Sequence, residues 1–174
     1  EIPLSVRNIA ETLEQAGFEA YLIGGCVRDL LLKRAPKDWD FTTNANPDQI
    51  QDLFPDSFCN NEYGTVGVKN EEESDETLKV VEITPYRSED GYSDARRPDK
   101  VTFGVSLEED LARRDFTVNA IAFRIKDEKI VDLYGGLEDL EAKRLKTVGN
   151  PDQRFGEDAL RMMRAVRLAT ELDF

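Results

Sequence analysis

The chain has 174 residues, 40% of them apolar, enough for one substantial core and most simply one domain. A formal net charge of −13 argues against a basic nucleic-acid-binding module taken as a whole, and the absence of histidine excludes Ser-His and Cys-His catalysis and any His-ligated metal within the chain. Cys26 and Cys59 are too few and too far apart for a disulfide framework, no apolar run approaches the roughly 18 residues that cross a bilayer, and the N-terminal Glu-Ile-Pro-Leu is not a signal segment, which together fit a reducing cytoplasm and no membrane.

Val6, Ile9, Ala10, Leu13 and Ala16 recur at helical spacing and predict a helix over 4–16 that Gly17 ends. Glu19–Ile23 reads as a buried strand running into Gly24-Gly25, Val27–Leu32 as a short helix, and Trp39–Thr43 as a second strand beyond Pro36. Pro47 sits near the start of a helix through Leu53, where its missing N–H costs nothing. Val66–Lys69 and Leu78–Thr84 read as strands joined by an acidic loop at 71–76, and the polar, aperiodic stretch Ser88–Lys100 as a mobile loop. Ser106 and Glu109 make a capping box that opens a helix ending near Arg113. Ala120–Ile125 and Ile130–Leu133 predict a hairpin, Gly135-Gly136 leads into a helix at Leu137–Ala142, and one long helix runs from Pro151 to the last residues. The pattern is α+β, one small mixed sheet flanked by helices.

The sharpest local feature is Lys37-Asp38-Trp39-Asp40-Phe41. On a strand, Asp38 and Asp40 project to one side while Trp39 and Phe41 anchor the other in the core. Two unit negative charges about 4 Å apart repel by roughly 4 kcal/mol at an effective dielectric near 20. Such a pair needs a proton, a cation or full solvation. Magnesium, which takes oxygen ligands and leaves room for water and phosphate, is the natural partner. Alone, Asp-x-Asp more often merely ends a strand in solvent. The preceding turn, Tyr21-Leu22-Ile23-Gly24-Gly25-Cys26-Val27-Arg28-Asp29, lets backbone approach a phosphate and adds a charged donor at Arg28. Gly-Gly-x-x-Arg-Asp followed by Asp-x-Asp describes a triphosphate cradle beside a metal site.

Gly24–Thr43 resembles the signature of the class II branch of the polymerase-β-type nucleotidyltransferases, which contains CCA-adding enzymes (tRNA nucleotidyltransferases) and bacterial poly(A) polymerases. Arg113–Ala120 resembles the second motif of that family, Asp132–Gly136 the turn that follows, and Glu157–Arg161 its nucleotide-selecting motif. Gly64-Thr65-Val66 and Val81-Glu82-Ile83-Thr84 fit as well, so that the resemblance covers nearly the whole chain. It implies a catalytic head over 1–145 and the truncated start of a helical neck over 146–174, with the body and tail domains that hold tRNA missing.

The same resemblance implies template-independent transfer of CMP and AMP from CTP and ATP to the 3′ end of tRNA. Asp38 and Asp40 then bind the magnesium ions, and Gly25 and Arg28 hold the triphosphate. Glu82, alternating with Val81 and Ile83, is either a third carboxylate at the site or a solvated strand residue. Arg114 falls near the nucleotide, while Asp115 and Asn119 either bind sugar, brace the site or cap structure. Glu157, Arg161, Arg164 and Arg167 share one helical stripe bordered by Asp158, which by spacing alone is an anion site or a solvated face. In the family an Asp158/Arg161 pair accepts the amine and unprotonated ring nitrogen shared by cytosine and adenine, and Arg164 and Arg167 also contact the nucleotide. The alternatives within the fold are an A-adding or CC-adding specialist or a poly(A) polymerase. Outside it stand an inactive RNA-binding module and a small-molecule nucleotidyltransferase.

Overall fold

Helix α1 (Leu4–Gln15) buries Val6, Ile9, Ala10 and Leu13, the stripe that its periodicity marks, while Ala16 lies past its end and is exposed. The computed structural model describes residues 1–60, 63–70, 74–93 and 98–174. After α1 come β1 (Tyr21–Ile23), α2 (Gly25–Leu31), β2 (Asp40–Thr43), α3 (Pro47–Leu53), β3 (Ser57–Asn60), β4 (Thr65–Lys69) and β5 (Val80–Pro85). The second half holds β6 (Arg87–Asp90), β7 (Lys100–Phe103), α4 (Leu107–Ala112), β8 (Ile121–Arg124), β9 (Lys129–Asp132), α5 (Gly136–Glu141), α6 (Pro151–Glu157) and α7 (Leu160–Leu172). No helix among the described residues is long and apolar enough to cross a membrane.

Seven strands form one mixed sheet in the order β3-β4-β5-β2-β1-β8-β9, in which only β2 and β5 run parallel. Its central strands send Leu22, Phe41 and Ile83 into the main core, together with the stripe of α1 and Ile50 of α3. Parallel pairing needs a crossover. The segment from α3 through β4 supplies it, and so sets Asp40 level with Glu82 and Phe41 level with Ile83. The predicted capping box holds, with Ser106 Oγ accepting from the Glu109 N–H, and Pro47 occupies the first turn of α3; a second capping box, Asn46 with Gln49, was not read from the sequence.

Three expectations change. The chain forms two sheets, because β6 and β7 pair with each other outside the main sheet. Residues 88–90 and Lys100 are therefore strand ends where an aperiodic loop was expected, and 94–97 lie outside the described residues. Strand β6 (Arg-Ser-Glu-Asp) carries no apolar residue, and its Glu89 is held by Arg87 and Arg113. Strand β3 was also unread, and Glu76–Leu78 is a 3-10 turn ahead of β5; of the expected acidic loop, 71–73 lie outside the described residues. Finally, the long C-terminal helix is two helices. Asp158 adopts extended backbone (φ −144°, ψ 108°), and its carboxylate accepts the Leu160 N–H at 2.9 Å, a local bond that competes with helix continuation.

The break re-aims α7. It buries Leu168 and Leu172, while Met163 (68% exposed) and Val166 (64%) stay in the open. Arg34 Nη1 caps its last turn by donating to the Glu171 carbonyl at 2.7 Å, and Lys37 Nζ meets Glu171 Oε1 at 3.1 Å.

Two glycines separate packing from propensity. A Cβ on Gly136 would collide with the Thr117 carbonyl and lie 2.7 Å from Ile121 Cγ1, whereas one on Gly156, within α6, would meet nothing within 4 Å. Gly136→Ala should cost about 1–3 kcal/mol as overpacking, and Gly156→Ala should stabilise by about 0.5–1 kcal/mol, both read from urea unfolding.

Candidate active site

The backbone between β1 and α2 makes the closest approach to the acidic residues. Gly24 sits at φ +78°, ψ −135°, a region that only glycine enters without strain. A Cβ there would stand 3.4 Å from Arg114 Nη1 and 3.9 Å from Asp40 Oδ2. At Gly25 it would stand 3.5 Å from Arg28 Nη2 and 3.8 Å from Asp38 Oδ1. The turn thus brings Asp38, Asp40, Arg28 and Arg114 together, four residues drawn from three separate stretches of sequence. Asp38 lies in the bend ahead of β2 and not on the strand itself, yet Trp39 and Phe41 are buried behind it as the alternation requires.

Asp40 is half-buried, and its pKa is pushed up to about 7 by burial first, then by the charges of Asp38 and Glu82, against the opposing pull of Arg114. Glu82, exposed on β5 and in register with Asp40, joins the acidic face. Because the folded pKa lies above the ordinary value, Asp40 favours the folded state fully at low pH. That contribution fades as pH rises through 7 and the carboxyl ionises. A hard cation between Asp38 and Asp40 would offset the same repulsion. Among the described residues, no three acidic or thiol side chains are close enough to form a ready-made metal cluster. The donor set therefore suits an ion that completes its shell with water and phosphate.

Arg114 is held from behind by Asp110, a fully buried carboxylate on α4. Asp110 Oδ2 accepts from Thr42 Oγ1 at 3.2 Å and lies 3.4 Å from Arg114 Nη2; Oδ1 accepts from Arg113 Nη2 at 2.8 Å and Nε at 3.0 Å. Burial works to raise the Asp110 pKa, but Arg114 and Arg113 hold it below the usual carboxylate value. Arg113 also reaches Glu89 on β6, which accepts from Arg87 and from the Tyr92 hydroxyl at 2.9 Å. The Arg114 Nε is buried and has no hydrogen-bond partner among the described residues.

A second chain of contacts runs from Arg28. Its Nη1 donates to Asn119 Oδ1 at 2.8 Å, and its Nη2 lies 2.7 Å from Asp29 Oδ1. Asn119 Nδ2 reaches Asp115 Oδ1 at 3.4 Å, and Asp115 Oδ2 pairs with Arg164 Nη2 of α7 at 2.7 Å. Asp115, Arg164, Asp158, Arg161 and Arg114 line a common cavity of ≈ 240 Å³ with Tyr92. Arg161, 6% exposed, gives Nη1 to Glu157 Oε2 at 2.5 Å and to the Arg154 carbonyl at 2.8 Å, with its guanidinium 5.6 Å from the Tyr92 ring centre. Arg167 is exposed and does not line this cavity.

Sequence reading missed Asp110, Glu89 and Tyr92 as parts of the site. Asp110 did carry a signal: it shares the buried face of α4 with Leu107 and Leu111, and a carboxylate on an apolar face must have partners.

A family model described as the poly(A) polymerase head domain matches residues 20–146. The chain belongs to this family. The head domain is 50% identical to the CCA-adding enzyme of Limosilactobacillus reuteri, with 97% of this chain and 40% of that protein aligned. It is 52% identical to the CCA-adding enzyme of Lactobacillus helveticus, over 100% of this chain and 42% of the relative. Among solved structures it resembles the Bacillus stearothermophilus CCA-adding enzyme in complex with CTP, at a TM-score of 0.84 and 40% identity over 99% of this chain and 41% of that one. It also resembles a tRNA nucleotidyltransferase complexed with a primer tRNA and an incoming ATP analog, at a TM-score of 0.73 and 30% identity over 95% of this chain and 45% of that one. The chain thus spans about two-fifths of the length of the relatives it matches. The expected α+β head of the polymerase-β type, a mixed sheet flanked by helices, is the fold of this chain.

The acidic cluster makes one expectation about pH. The unfolding temperature of the head domain should fall between pH 5 and pH 8 more steeply than that of Asp40→Asn, and millimolar divalent cation should flatten the parent profile toward that of the variant.

Proposed function

We propose that this chain is the catalytic head of a CTP/ATP:tRNA nucleotidyltransferase, adding CMP and AMP to the tRNA 3′ end by attack of the 3′-hydroxyl on the α-phosphate with release of pyrophosphate. The observation that carries this reading is the packing of the Asp38 and Asp40 carboxylates against the Gly24-Gly25 turn, beside Arg28 and Arg114. Its family membership and its likeness to CCA-adding enzymes, one solved with CTP, support it.

Asp38 and Asp40 would hold magnesium, whose chemistry here is charge neutralisation and activation of oxygen in an in-line phosphoryl displacement. Gly25 lets the triphosphate reach the backbone, and Arg28, fixed by Asp29 and Asn119, presents its guanidinium to it. Arg114, braced by Asp110, would present its guanidinium beside Gly24 to the nucleotide. Asp115 and Asn119 bind or brace the sugar, and Glu82 aligns the primer hydroxyl from the edge of the acidic face.

Asp158 and Arg161 choose the base: a carboxylate accepts from the exocyclic amine of cytosine or adenine, and a guanidinium donates to the neighbouring ring nitrogen. Asp158 already spends Oδ1 on the Leu160 N–H, and Arg161 would exchange Glu157 for the base edge. Arg164 reaches the nucleotide through its place beside Asp115, and Arg167 stands further along α7 as an outer contact. The division into a head over 1–145 and the start of a neck over 146–174 follows the family match to residue 146, and tRNA is then gripped mainly by body and tail domains outside this chain. Two free thiols, Cys26 and Cys59, suit a cytoplasmic enzyme.

The longest natural form of the protein, incubated with tRNAs lacking the terminal CCA, CA or A and each nucleotide in turn, should restore CCA from CTP and ATP alone. Products of A only, CC only or a poly(A) tail would assign one of the specialist activities instead, and no product would favour an inactive RNA-binding module. Asp38→Ala and Asp40→Ala should each abolish transfer while the circular dichroism spectrum is kept; turnover in either would refute the metal assignment. Arg161→Ala should reduce discrimination against UTP and GTP by about 10–100-fold, measured as kcat/KM ratios.

A further inference from the structure

We infer that Asp139 is a positioning residue for nucleotide binding, acting through Thr117 on Asn119 and so on Arg28. It rests on the reading of Arg28 as the triphosphate ligand.

Asp139 stands on α5, outside the cavity, and is almost completely buried. A carboxylate there is costly unless its oxygens are satisfied. Oδ2 accepts from Thr117 Oγ1 at 2.6 Å and Oδ1 from Arg144 Nε at 2.6 Å. Burial works to raise the Asp139 pKa, yet these donors hold it below the ordinary value, so the group stays an anion that only accepts.

Thr117 opens the 3-10 turn Thr117–Asn119, whose last residue takes Arg28 Nη1 on its side-chain oxygen at 2.8 Å. This turn is clamped on several sides. Its Thr117 N–H donates to the Lys146 carbonyl at 2.9 Å, its hydroxyl to Asp139, and the Thr117 carbonyl faces Gly136 so closely that no side chain fits there. Asp132 fixes the start of α5 against it by accepting the Gly136 and Leu137 N–H groups at 2.8 and 2.9 Å. Only the Asp139–Thr117 bond joins α5 side chains to the turn that carries Asn119 by a charge-assisted hydrogen bond among the described residues. Loss of that bond frees the turn to shift, and a shift well under 1 Å disrupts the Asn119–Arg28 contact.

The test is a double-mutant cycle read as affinity for MgCTP and MgATP by titration calorimetry on the full chain. Thr117→Val removes the hydroxyl and keeps the shape, so it reports on the bond even where Asp139→Asn folds poorly. It should weaken nucleotide binding about tenfold in the parent and hardly at all in an Asn119→Ala background, while Thr117→Ser keeps parental affinity within about threefold. An equal loss in both backgrounds, or parental affinity in Thr117→Val when Asn119→Ala binds weakly, overturns the inference. Parental affinity in both Arg28→Ala and Asn119→Ala overturns the triphosphate reading itself, and the inference with it.

Discussion

Everything at the site depends on keeping two carboxylates, the exposed Asp38 and the half-buried Asp40, against one glycine turn. The core enforces it. Phe41 is buried between flanking strands, Trp39 is buried beside it, and the parallel pairing of β2 with β5 brings Glu82 to the same face. Left alone, the cluster shows its cost in the pKa of Asp40, which burial first and then the charges of Asp38 and Glu82 push up to about 7. A cation would offset that cost, and the energy stored in the repulsion then becomes affinity for that cation.

The cationic half of the site is assembled differently. A chain of net charge −13 has no general field to attract a nucleotide, so its arginines act at short range. Asp110, Glu89 and Asp29 each pair with one or more of them, which fixes the guanidinium directions. The acid count of the chain is thus partly a count of arginine supports. The same network joins α4, the β6–β7 pair and α7, through Arg113, Tyr92 and Arg161, into one wall of the cavity.

Much of this was legible from residue order. The glycine turn, the strand behind Asp40 and the Ser106–Glu109 capping box are local features, and local physics fixes them. What the sequence did not disclose depends on partners far apart in the chain. β6 looks like loop because it has no apolar residue, and its Glu89 is held by Arg87 and by Arg113 from a distant helix. The helix expected from Pro151 onward breaks because one side chain, Asp158, takes the Leu160 N–H; periodicity cannot see that competition. Arg161 and Arg164 line the cavity from α7, and Arg167 stands exposed further along the same helix. Asp110 and Asp139 were passed over as ordinary helix acids, although each lies on a buried helix face.

The most direct test of the central claim is the proton count that accompanies divalent-cation binding, measured by titration calorimetry near pH 7 in two buffers of different ionisation enthalpy. With Asp40 titrating at about 7, magnesium binding should release about half a proton per molecule, a release lost in Asp40→Asn together with most of the affinity. Binding of undiminished strength in Asp40→Asn, or binding to the parent with no proton released, would contradict the account.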